Sequence, residues 1–290
     1  WSGSDLFSKI GCQGEDDHLA HLKMVIAVGT VMGLHAAYEI FVGGTVISFS
    51  IILTYLPVSL LYIGSMTLGY MGLRYIELSV SSPICNSSGA LVAVMTLLFL
   101  GGEDYSPLAI GAIILVCFGA IGLGVVDATE DPELRAARQA DGNRKYSKSF
   151  LALALPVAYC LLDAAGTFAD NRVLETLNEG SANCAYELTF LFAAAVCFIY
   201  VVFIRKDRLP PKREAPKYIG AVCETAGQFA YIYAISDTEH LAMSAPIISS
   251  YCAASVLWSR LFLKEKLSWK HYLMILLVVI GIAVMGVFDI

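Results

Sequence analysis

Apolar stretches of roughly the 20 residues needed to cross a hydrocarbon layer recur along the whole chain. They predict helices over Trp1–Ile10 (the tail of a truncated helix), Leu22–Val42, Phe49–Tyr75, Leu78–Leu100 and Leu108–Val126. Further helices are expected over Ser149–Ala169, Ala182–Ile204, Tyr218–Ser236, Leu241–Leu263 and Trp269–Phe288. Apolar residues cover all faces of most of these segments, which a lipid surrounding permits and water does not. The pattern predicts an all-α integral membrane protein of ten transmembrane helices. The chain opens on Trp1, so its natural start is expected further upstream. No short basic-then-apolar leader precedes the first segment, and no cleavable signal peptide is expected.

Composition agrees with the pattern. Hydrophobic residues make up 57% and charged residues 15%, with a mean hydropathy of +0.68. A soluble domain is about 45–50% apolar and about 25% charged, and this chain has too few polar residues to coat a soluble fold. The net charge is −6, but its placement says more. Of 19 basic residues, 18 fall in alternate loops: Lys9 and Lys23, Arg74, Arg135 to Lys148, Arg205 to Lys217, and Arg260 to Lys270. Arg172 alone falls on the other side. Cytoplasmic loops carry the basic excess, so these loops are expected in the cytoplasm, both termini outside, and the chain in the plasma (inner) membrane. The basic loops are accounted for by orientation, and no nucleic-acid partner is expected. The eight cysteines form no CxxC pair and most lie in apolar runs, where buried thiols pack as small hydrophobes. His18 and His21, beside Asp16 and Asp17, lack a second ligand pair, and no metal or cofactor is expected.

The chain also repeats itself. Tyr70–Leu100 matches Tyr233–Leu263 at an offset of 163, anchored by Ser81 and Pro83 with Ser244 and Pro246. The match continues at an offset of 162, pairing Glu103 with Glu265, Gly119 with Gly281, Gly124 with Gly286 and Asp127 with Asp289. A shorter match sets Asp5 opposite Asp163. Each half then holds five helices, and an odd number inverts the second half. Arg74 becomes Asp237, and the acidic loop at Glu103 becomes the basic loop Lys264–Lys266. The expected organisation is two inverted five-helix repeats, 1–127 and 149–290, joined by a charged cytoplasmic linker at 128–148. Inverted repeats are a transporter architecture, with the substrate site near the midplane.

These segments resemble a known family. "GYMGLRYIELSVSSPICNSSGALVAVMTLLFLGGEDYSPLAIGAIILVCFGAIGLGVV" and "YAISDTEHLAMSAPIISSYCAASVLWSRLFLKEKLSWKHYLMILLVVIGIAVMGVF" are similar to the repeat unit of the drug/metabolite transporter superfamily, in its ten-helix EamA branch. "FLKEKLSW" before a glycine-rich last helix is the strongest element, and the resemblance covers essentially the whole chain. It implies a transporter of small organic solutes, with a cavity lined by the first, third, fourth, sixth, eighth and ninth helices. Two features depart from the family. Where members often carry a proline in the middle of the fourth and ninth helices, this chain has Gly89 and Cys252. Members are often drawn with both termini inside, whereas the basic residues here place them outside.

An ionisable group inside the hydrocarbon is expensive and marks function by default. Asp163, in "YCLLDAAGTF", is the first such residue and suits a proton or a cationic substrate. Glu224 follows, with Gln228 one turn on. Asp5 joins them through its match with Asp163. Glu39 and Glu187 fall nearer helix ends and are expected at the interface. Asn86 and Ser249 are small polar residues at matching repeat positions, and such residues also serve helix packing. Trp1, Tyr62, Tyr159, Tyr231 and Tyr251 lie deep enough to surround a cation. The functional expectation is a secondary active transporter working by alternating access, with proton-coupled export of a small metabolite. Uptake of an organic cation such as a quaternary amine is the alternative. A third reading, from another class, is an intramembrane aspartyl enzyme built on Asp5 and Asp163, which needs their carboxyls close together. The expected partners are a small-molecule solute, a proton or other coupling ion, and the bilayer.

Orientation is open to direct test. An epitope fused after Ile290 should be reached by antibody applied to intact cells. Labelling only after the membrane is permeabilised overturns the assignment.

Overall fold

The computed structural model describes residues 1–13, 17–99, 106–131, 133, 150–236, 248 and 251–287. Regular structure among these residues is helical: α1 (Ser2–Cys12), α2 (Ala20–Phe41), α3 (Phe49–Gly72), α4 (Leu78–Cys85), α5 (Ser88–Phe99), α6 (Pro107–Thr129), α7 (Phe150–Leu174), α8 (Glu179–Phe198), α9 (Pro211–Ile235), α10 (Tyr251–Phe262) and α11 (Trp269–Val287). A π-helical turn, Ile199–Ile204, extends α8. Among the described residues, five stretches are long and apolar enough to cross a membrane: Ala20–Phe41, Phe49–Gly72, Leu78–Thr96, Ala152–Leu174 and Glu179–Ile204. Ile110–Val126 and Trp269–Val284 are shorter apolar helices. Most of the expected linker at 128–148 lies outside the described residues, as does the first part of the expected ninth helix.

Three boundaries differ from the hydropathy pattern for local reasons. The expected helix over Leu78–Leu100 is broken between α4 and α5. Pro83 lacks the amide that would close the preceding turn. Asn86 Nδ2 donates to the Ser82 carbonyl (2.9 Å) and Ser87 Oγ to the Pro83 carbonyl (2.8 Å), so side chains compete for the helix acceptors. The sixth expected helix runs five residues further, to Leu174, because Asp170 and Asn171 find partners on other helices. The eighth starts at Pro211, a residue suited to a first helical position, where a missing amide costs nothing.

The chain folds as two compact units. The first comprises Trp1, Gly3–Arg74 and Ala165–Glu239. Its main contact joins α2 to α8, with α9 also on α2 and α3 also on α8. Gly29 permits the close approach, since a Cβ there would lie 2.5 Å from Ala194 Cβ. One end of this unit is held by buried charges. Lys23 pairs with Asp17 (3.0 Å) and Asp207 (2.9 Å), and Lys217 with Glu214 (2.8 Å) and Asp17 (3.6 Å). The Lys23 ammonium, hydrogen-bonded to Asp207, holds that loop carboxyl below its ordinary value. Lys9 and Lys23, expected in a loop, lie within α1 and α2, and Lys9 Nζ donates to the Leu73 carbonyl at 2.5 Å. Each ammonium is buried with a partner, the condition under which burying a charge is tolerable.

The second unit comprises Ser2, Tyr75–Ala164 and His240–Ile290. Its core has one cluster around Val116, Cys252, Val278 and Ile282 and another around Ile76, Val80, Leu123 and Ile275. Here α6 packs on α11 and α4 on α10. The α6–α11 contact is reciprocal. A Cβ on Gly119 would meet Val278 Cγ2 at 2.8 Å and the Met274 carbonyl at 2.9 Å; one on Gly281 would meet Val116 Cγ2 at 2.6 Å and the Ala112 carbonyl at 2.8 Å. Gly119, Val116 and Ala112 correspond to Gly281, Val278 and Met274 at the offset of 162 found in the sequence. Glu265, in the loop before α11, caps α4. Its Oε1 accepts from Leu78 N–H (3.1 Å) and its Oε2 from Ser79 N–H (3.0 Å) and Ser79 Oγ (2.8 Å). These amides are unpaired within the helix and favour a negative partner.

Replacing either glycine of the α6–α11 contact by leucine forces side chain into backbone. Gly119→Leu and Gly281→Leu should each lower unfolding stability by about 1–3 kcal/mol, the usual range for overpacking. Denaturant titration of the purified protein in detergent checks this.

Candidate functional site

The first unit contains a network of hydroxyls around a carboxyl. Asp170, on α7, is fully buried. Its Oδ1 accepts from Tyr55 OH at 2.6 Å, and its Oδ2 from Tyr62 OH at 3.2 Å. Tyr62 OH also lies 2.8 Å from Tyr231 OH, which lies 2.8 Å from Thr167 Oγ1. Three helices therefore supply the network: α3 gives Tyr55 and Tyr62, α7 gives Thr167 and Asp170, and α9 gives Tyr231. Gly166 makes room for the Tyr62 ring, since a Cβ there would come within 2.9 Å of Cε1.

Aromatic rings carry the cluster onward. Trp1 packs on Tyr231 with ring centroids 5.1 Å apart, and Tyr62 lies edge-on to Tyr186 at 5.8 Å. Gly227 leaves space for the indole, because a Cβ there would meet it at 2.7 Å. Beyond Trp1 is Glu224, which is hydrogen-bonded by Ser4 and has Trp1 and Asp5 as neighbours. Gln228, one turn from Glu224, is buried at 5% exposure, and its Nε2 has no hydrogen-bond partner among the described residues. Two carboxyls, Asp170 and Glu224, thus flank a run of tyrosine and tryptophan rings. Such a surface offers hydrogen-bond acceptors, hydroxyl donors and π faces to a solute.

The second unit places Asp163 beside the break in the α4–α5 segment. Ser88 Oγ, at the start of α5, donates to Asp163 Oδ2 at 2.7 Å. Asn86 is buried at the break and bonds back to the Ser82 carbonyl and hydroxyl (2.9 and 3.3 Å). Interrupted helices of this kind hold binding groups in transporters. Tyr159 and Tyr251 are half-buried in this unit. Ser249 lies outside the described residues.

The structure therefore gathers Trp1, Asp5, Tyr62, Glu224 and Gln228 in the first unit. Asn86 and Asp163 share the neighbourhood of the helix break in the second. Asp5 and Asp163, paired in the enzyme reading, fall in different units. Asp170, Tyr55 and Thr167 escaped the sequence reading, which ended the helix before the polar run Asp170-Asn171-Arg172. A signal was present: Asp163, Gly166, Thr167 and Asp170 follow the i, i+3, i+4, i+7 spacing of one helix face. Glu187, expected at an interface, is fully buried.

Several helices long and apolar enough to cross a membrane mark a multi-pass integral membrane protein. Residues 153–287 match the EamA-like transporter family, so the second half of the chain carries an EamA-like domain. A crystal structure of another protein aligns over 99% of this chain and 95% of its own, at a TM-score of 0.58 and 14% identity. That likeness shows a shared fold alone. No curated protein matches the sequence.

The Asp170 network can be tested through stability. Tyr55→Phe leaves one buried carboxyl oxygen without its donor and should cost about 1–3 kcal/mol. Thermal or denaturant unfolding in detergent checks it, with Tyr38→Phe at an exposed position as the control.

Proposed function

We propose that the protein is a secondary active transporter that moves a small organic solute across the membrane by alternating access, with proton-coupled export as its cycle. Two inverted five-helix repeats, over 1–127 and 149–290, exchange the exposure of the binding groups. The observation that carries this reading is the pair of carboxyls, Asp170 and Glu224, kept within apolar helices of a transporter-family chain and set against tyrosine and tryptophan rings. Such groups persist at that depth for function. The reciprocal Gly119 and Gly281 contacts support the repeat. The packing of α2 on α8, α4 on α10 and α6 on α11 supports it too, because each pairs helices at equivalent positions of the two halves.

Glu224, with Asp5 beside it, binds the solute or the proton, while Trp1, Tyr62 and Gln228 contact the solute. Gln228 has an unused amide to offer it. Asp163 is a second acidic site, with Asn86, Tyr159, Tyr251 and Ser249 as further polar and aromatic contacts for solute. Uptake of an organic cation is the second reading, favoured by the ring-to-ring contact of Trp1 and Tyr231 between the two acids.

A thermal-shift screen of metabolites identifies the ligand, since a molecule that binds the folded state raises its stability. The stabilising solute is then followed into proteoliposomes with and without a pH gradient. The gradient should drive accumulation. Glu224→Gln should reduce accumulation about tenfold or more, the equivalent of one charge-assisted contact. Accumulation unchanged when the gradient is dissipated removes proton coupling, and competition by tetraalkylammonium ions selects the cation reading. Wild-type transport by Asp163→Asn removes that residue from the mechanism.

A further inference from the structure

Away from the hydroxyl network, the α2–α8 contact of the first unit encloses a second group of ionisable side chains. His35 Nδ1 lies 2.8 and 3.0 Å from the two oxygens of Glu187. Asn183 Nδ2, one turn back on α8, donates to Glu187 Oε1 at 3.1 Å. The Glu187 side chain is 0% exposed, whereas His35 is 26% exposed. On the other side of the imidazole, His35 Nε2 lies 3.9 Å from Glu39 Oε1. Glu39 is 23% exposed, near the end of α2, and its Oε2 accepts from Thr45 Oγ1 at 3.4 Å. The chain turns closely over Glu39, because a Cβ at Gly43 would meet its Oε2 at 2.8 Å. Phe229 stacks edge-on against the imidazole at 5.2 Å.

Glu39, His35 and Glu187 thus stand in order from a helix end toward the interior. Among the described residues, Cys184 and Glu179 on α8 and Tyr233 on α9 are further titratable groups on this side. One proton on the His35–Glu187 pair makes the pair neutral, whichever side chain carries it. Without that proton the pair leaves a net negative charge in apolar surroundings, which is costly. A neutral imidazole both donates and accepts, so His35 can take up a proton at Nε2, on the side where Glu39 lies 3.9 Å away, and release the one at Nδ1 to Glu187.

We propose that His35 and Glu187 form a proton-binding site, entered through Glu39 and separate from the Asp170–Glu224 cluster. Its role as the coupling site rests on the transporter reading above; the binding of a proton does not. By the placement of basic residues, the Glu39 end faces outside.

The test applies pH jumps to proteoliposomes of the full chain adsorbed on a solid-supported membrane. No solute is present, so the proton site is read whether or not transport is ever observed. A jump from about pH 8 to about pH 6 spans the ordinary histidine value. The wild type should give a transient charge displacement. Glu187→Gln and His35→Gln should each diminish it, while Glu175→Gln, at an exposed carboxyl outside both clusters, keeps it. Wild-type transients in both Glu187→Gln and His35→Gln overturn the proposal, as does loss of the transient in Glu175→Gln alone. If those two variants do not fold, Glu39→Gln supplies the reading. It should slow the rise of the transient, and an unchanged rise overturns the proposal.

Discussion

A carboxyl on an apolar helix has to find its donors on neighbouring helices, because lipid offers none and an unpaired polar group costs several kcal/mol. Much of this structure follows from that requirement. Asp170 brings two tyrosines of α3 to α7, and their hydroxyls draw in Tyr231 of α9 and Thr167. Glu187 fixes α8 on α2 through His35. Asp163 takes the hydroxyl of Ser88 at the start of α5. Each acid thus serves as a point of registration between helices whose apolar faces would otherwise slide. Under the proposed function the groups that bind solute and proton are among those that position the helices, which links binding to helix arrangement.

Close backbone contact is the second constraint. Without a hydrophobic force between helices in lipid, association depends on van der Waals packing, and small residues permit the nearest approach. Gly29 in the first unit and Gly119 and Gly281 in the second meet neighbouring backbone or side chains where even a methyl group would collide. The last two are matched in sequence and matched again in what they touch.

The apolar runs were legible in the sequence because each is a local property of about 20 residues. The expected repeat rests likewise on a comparison of linear strings. The partners were not legible. Tyr62 and Asp170 are 108 residues apart, and His35 and Glu187 are 152 apart. Nothing in either local string states that they meet. Boundary errors then moved residues out of view. Ending the sixth helix at Ala169 discarded Asp170, and starting the seventh at Ala182 rather than Glu179 made Glu187 look closer to the interface than it is. The break at Asn86–Ser87 was hidden because the apolar run continues across it, while its cause is side-chain competition for carbonyls.

Glu265 belongs to "FLKEKLSW", the string by which the chain most resembles its family. Both of its carboxylate oxygens are engaged at the start of α4. The string that announces kinship is thus occupied with terminating a helix, and kinship read from it is silent about cargo. Under the proposed function solute preference is set at Glu224, Gln228 and Asp170, away from this loop, so the loop and the site are free to vary independently.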